Sequence, residues 1–139
     1  MDRFKENDII GLLKRGLKKD GWNVREHVKL QGGFVDLLAE KDGTSFAIEA
    51  CGIDKGGFIS AENAFQLGLG RLLARMTDPD MRYAIAIPES QEFFLPLKKY
   101  QNSFAFKALA LYIFVATSNN SCIVVPPTDI ASFIEHSCG

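Results

Sequence analysis

The amino-acid sequence predicts an α/β fold: a mixed β-sheet flanked by helices. Three observations predict it. A helical stripe of apolar residues opens the chain. Two short strands then flank the two-residue turn Asp42-Gly43. A second helical stretch leads into an almost wholly apolar strand, MRYAIAIP at positions 81 to 88. Helices and strands that alternate in this way stack as layers around a sheet.

Each element has its own signal. Residues Asp2 to Lys19 read as a helix, because Ile10, Leu13 and Leu17 recur at helical spacing and Ile9 and Leu12 widen the stripe. Lys18 and Lys19 suit its C-terminal end, and Asp20-Gly21 stops it. Asn23 to Leu30 alternates as a strand, and Gln31-Gly32-Gly33 turns the chain. Phe34 to Lys41 and Thr44 to Cys51 form a hairpin across Asp42-Gly43, the strongest short-range signal for one. A glycine-rich loop, Cys51-Gly52 through Gly56-Gly57, precedes a helix capped by Ser60 that runs to about Met76. Gly68 and Gly70 inside that helix cost about 1 kcal/mol each relative to Ala, which predicts close packing against the sheet. Gln91 to Phe104 reads as helical with a break at Pro96. Leu111 to Ala116 and Cys122 to Val125 read as a last strand pair, and Asp129 to His136 as a short closing helix.

Length and composition set bounds. The 139 residues suit one domain over positions 1 to 139. A net charge of -1 excludes a general polyanion binder while leaving room for a local basic patch. Cys51, Cys122 and Cys138 are odd in number and widely spaced, which fits a reduced cytoplasmic protein better than a disulfide framework. The charged start MDRFKENDII is unlike a signal peptide, and no apolar run is long enough to span a membrane.

The hairpin carries the chemistry. A two-residue turn sets the register, so Lys41 faces Thr44, Asp36 lands opposite Glu49, and Phe34 lands opposite Cys51. Opposed Cβ atoms lie about 4.5–5.5 Å apart, where like charges repel unless a cation lies between them or one acid takes a proton. The alternation predicts one core face of Val35, Leu37, Ala39, Phe46, Ile48 and Ala50. The other face, Phe34, Asp36, Leu38, Ala47, Glu49 and Cys51, is mostly apolar too. Magnesium takes hard oxygen ligands, commonly one or two carboxylates with water and phosphate oxygens, and the pair meets that demand. The competing reading is a half-solvated strand face, or acids paired with Lys or Arg from a neighbouring element.

Other candidates are weaker. Glu6 extends the apolar line of Ile10, Leu13 and Leu17 toward the sheet, where it could hold a metal-bound water; equally, it is an acid favoured by the helix dipole. Gln66 shares a line with Glu62, Leu69 and Leu73 and could contact phosphate or water, or be a satisfied boundary amide. Arg71 and Arg75 lie one turn apart, and a solvated helix face is their favoured reading over phosphate contact. His27 and His136 read as isolated surface residues. Phe93, Phe94, Phe104 and Phe106 read as core rather than a base-stacking platform, while Tyr100 with Lys98 and Lys99 could touch a nucleic-acid backbone.

These residues resemble the PD-(D/E)XK nuclease superfamily. The matching stretches are Gly33-Phe-Val-Asp36-Leu-Leu-Ala and Phe46-Ala-Ile-Glu49-Ala50-Cys51-Gly52, followed by the helix with Gln66. The order helix, three strands, helix, strand matches the core of that superfamily over roughly residues 1 to 90. The resemblance implies a restriction-endonuclease-like three-layer core with C-terminal additions. It implies Mg2+ or Mn2+ bound by Asp36, Glu49 and the backbone carbonyl of Ala50. It further implies hydrolysis of phosphodiester bonds in nucleic acid, DNA in the first place, and a homodimer where two strands are cut. One departure stands out: the family carries a lysine two residues after the second acid, and here that position is Cys51. A thiol is mostly neutral at pH 7 and a poor magnesium ligand. Three explanations stay open. A lysine has moved, with Lys55 the nearest candidate and Lys29 another; the site binds metal and nucleic acid, or a protein partner, without cutting; or Cys51 serves a softer metal.

Overall fold

The computed structural model describes residues 5–53 and 60–138. Helix α1 (Glu6–Lys19) is followed by β1 (Asn23–Leu30), β2 (Gly33–Lys41), β3 (Thr44–Ala50), α2 (Ala61–Arg75) and β4 (Arg82–Pro88). Helices α3 (Gln91–Tyr100) and α4 (Phe104–Ala108), strands β5 (Tyr112–Ala116) and β6 (Cys122–Val125), a 3-10 turn (Pro127–Asp129) and α5 (Ile130–Ser137) complete the chain. The expected α/β class is observed, with six strands in one mixed open sheet in the order β1-β2-β3-β4-β5-β6.

Pairing follows connection length. β1 to β3 are joined by tight turns and run antiparallel. β3, β4 and β5 are joined through helices and run parallel, as crossover connections require. β6 returns antiparallel through a short turn.

Two cores lie on the two sides of the sheet. On one side, Ile9, Leu13 and Leu17 of α1 pack on Leu37, Phe46, Ile48, Ala84, Ala86 and Phe114. This one helix crosses the sheet from β1 to β6. It lies so close to the β5–β6 turn that a Cβ on Gly16 would sit 2.9 Å from the backbone of Ser121 and Cys122. On the other side, α2, α3 and α5 pack on one another and on the sheet through Phe65, Leu72, Phe93, Leu97, Ile130 and Ile134.

Four expectations are corrected. Phe104, expected in the core, is 87% exposed. The helix does not break at Pro96, which lies inside α3. The break comes at residues 101–103, where the Ser103 side chain accepts the Phe106 amide and starts α4, an element the sequence reading missed. Gly68 packs closely, but Gly70 has nothing near it. Val35 does not share the α1 side with Leu37; it packs in the α2-side core.

Candidate active site

The change of side at Val35 marks where β2 departs from regular geometry. The β2–β3 ladder runs from Lys41↔Thr44 to Leu37↔Ile48 and stops there. Asp36 and Glu49 are the next step of the same register, immediately past its end. The β1–β2 ladder also skips this step, passing from Glu26↔Leu37 to Val28↔Val35. The omitted residue of β1 is His27, whose φ of 53° is unusual for a residue with a side chain. Asp36 therefore sits at a gap in the β1–β2 ladder and just past the end of the β2–β3 ladder. Its Oδ2 accepts the Ala50 N–H at 2.8 Å, so a carboxylate satisfies the amide at the point where the ladder stops.

Glu49 is buried, with 3% of its surface exposed, and its Oε1 has no hydrogen-bond partner among the described residues. A buried carboxylate oxygen of this kind carries a desolvation cost. Burial is the main force pushing the Glu49 carboxyl up to about 7, and the charge of Asp36 adds to it. Asp36 is half-buried and is also raised by burial, opposed by the Ala50 hydrogen bond and the Arg71 charge. The two acids are electrostatically coupled, as the hairpin register predicts.

Glu6 approaches the same place from α1. Gly52 makes this possible, because a Cβ there would collide with the backbone of Lys5 and Glu6. Glu6 Oε1 lies 3.8 Å from Arg71 Nη1, and its charge acts on Glu49. Arg71 and Arg75 both act on Asp36 and Glu49. Arg75 is anchored: its Nε donates to the Phe34 carbonyl at 2.7 Å and its Nη1 to the Arg71 carbonyl at 2.9 Å. Arg71 is exposed, as the solvated-face reading expects, and Arg75 is half-buried; both also act electrostatically on the acids. Their four-residue spacing was the available signal, but nothing local shows which way the helix is turned.

The remaining expected residues fall elsewhere. The Gln66 amide donates to Tyr100 at 2.8 Å and to Glu62 at 3.4 Å, at the contact of α2 with α3. Lys55 lies outside the described residues. Cys51 is buried, and a Cβ on Gly68 would collide with its sulfur, so glycine and thiol fill one space. Burial pushes the Cys51 thiol far up, and Glu49 and Glu6 push it further, so it is neutral.

No group of three or more His, Cys, Asp or Glu with metal-holding geometry occurs among the described residues. Two carboxylates, one with a buried oxygen that has no partner among the described residues, do fit the donor chemistry of a hydrated magnesium or manganese ion, which needs few protein ligands. No helix among the described residues is long and apolar enough to cross a membrane. Neither a family model nor a curated protein matches this chain.

Proposed function

We propose that this chain is a metal-dependent phosphodiesterase acting on DNA, with a restriction-endonuclease-like core. The observation that carries the reading is the pair of half-buried Asp36 and buried Glu49, with Glu49 Oε1 partnerless among the described residues, at a gap in the β1–β2 ladder and just past the end of the β2–β3 ladder. Asp36, Glu49 and the Ala50 carbonyl would hold the ion. When bound, a divalent ion polarises a phosphoryl oxygen and makes water more acidic. Asp36 and Glu49 supply the negative charge that retains it. Glu6 accepts a hydrogen bond from a water at the edge of the site. Arg71 and Arg75 take the part of the missing lysine, offering fixed positive charge to a phosphate oxygen. Gln66 supports α2 through Tyr100.

Nicking of supercoiled plasmid DNA in magnesium or manganese tests this. Cleavage by the wild-type chain is expected, with loss of at least 100-fold in Asp36→Asn. Cleavage unchanged in that variant overturns the assignment.

One observation favours a second reading, a nuclease-fold module that binds DNA or a protein without cutting it. Cys51 is locked against Gly68, so the motif position has been rebuilt as core. That reading expects magnesium to raise Tm without any cleavage.

A further inference from the structure

We propose that the stacked rings of His27 and Phe34 form a platform for an unpaired nucleobase, so that the nucleic acid lying beside Asp36 and Glu49 is single-stranded. The inference rests on the phosphodiesterase reading of that acid pair.

The two rings are parallel to within 4°, with centroids 4.2 Å apart. They lie on the edge strand and its neighbour, and both residues are exposed. Phe34 keeps 43% of its surface open, in a molecule that buries most of its other phenylalanines. A solvent-facing aromatic is ordinary by itself. Its stacking partner is not placed by regular strand geometry. The His27 backbone sits at φ 53°, a left-handed conformation that residues with a Cβ rarely adopt. Strain of this kind persists where surrounding structure imposes it, and it concentrates at functional positions.

The stack is also joined to the acid site. His27 occupies the β1 position across from Asp36, and its charge acts on that carboxylate. The Phe34 carbonyl holds Arg75. Flat rings, a guanidinium and paired carboxylates therefore follow one another along the end of β2. A base on the rings would bring its phosphate toward Arg75. Stacking on a ring face needs the base free of its complement, and sequence-tolerant recognition of single strands works in this way. A base inside a duplex has its faces covered and cannot use the platform.

The test is binding without catalysis. Fluorescein-labelled oligothymidylate and a blunt duplex of equal length are titrated with the full chain in EDTA. The single strand is expected to bind at least tenfold more tightly than the duplex. Phe34→Leu should weaken single-strand binding roughly tenfold, as loss of one stacking partner does. His27→Gly should weaken it too, and glycine suits the positive φ, so misfolding does not explain the loss. Equal or tighter binding of the duplex, no saturable binding of oligothymidylate, or unchanged affinity in both variants overturns the proposal. Failure of the acid-pair reading registers separately, as both supercoiled plasmid and single-stranded circular DNA left intact in magnesium or manganese and a Tm unmoved by magnesium.

Discussion

Glu49 is the residue whose ionisation costs the fold most visibly. Its carboxyl titrates at about 7 rather than 4.5, because burial and Asp36 both disfavour the charge. Between those two values the folded chain holds a proton that the unfolded chain has released. Stability therefore falls as pH rises from about 4.5 to 7; below that window this group contributes no change, and above it the loss is complete. Asp36, raised for the same reason, acts in the same direction. Glu49→Gln should raise stability by about 1–2 kcal/mol at pH 8 and scarcely at all at pH 4, read from urea denaturation at both pH values. Magnesium should oppose the same penalty. A concentration of 100 times Kd raises stability by about 2.7 kcal/mol at pH 8, and that gain should vanish in Asp36→Asn. Thermal melts with and without the ion check this.

Two glycines decide how the elements carrying the site meet. Gly52 lets the start of α1 touch the chain leaving β3, which brings Glu6 to Arg71. Gly52→Ala should cost roughly 2–4 kcal/mol, because backbone rather than a flexible side chain blocks the added methyl. Gly68 makes room for the Cys51 sulfur. Gly68→Ala should destabilise by about 1–3 kcal/mol, and adding Cys51→Ala should recover much of that loss, a coupling measurable by a double-mutant cycle. For the same reason Cys51→Lys does not simply restore a catalytic lysine. It inserts a long charged side chain into the α2-side core and should lower Tm, whatever it does to cleavage.

Across the whole molecule the two sides of the sheet are covered unequally. Among the described residues four helices share one side, α2, α3, α4 and α5, while α1 alone covers the other from β1 to β6. Leu13, with no exposed surface, stands in the middle of that single cover. Leu13→Ala should cost about 3–5 kcal/mol and bring unfolding forward as one transition, since no second helix holds the strands beneath it. Differential scanning calorimetry would show two transitions if the α1 side instead melted separately.

Much of this architecture was legible locally. Helix stripes, the Ser60 cap and the Asp42-Gly43 turn depend on neighbours within a few residues, so β1 and β6 have the predicted bounds and the other expected elements differ mainly at their ends. The proximity of Asp36 and Glu49 was legible for the same reason, because a tight turn transmits register along a hairpin. What tertiary structure decided was everything set by rotation and depth. It brought the charges of Arg71 and Arg75 to bear on the acids, tied Gln66 to Tyr100, sank Cys51 against Gly68, and left Asp36 at a gap in one ladder and past the end of the other. A helix stripe a third of a turn wide leaves such rotations open, and only packing of α2 between β2 and α3 closes them.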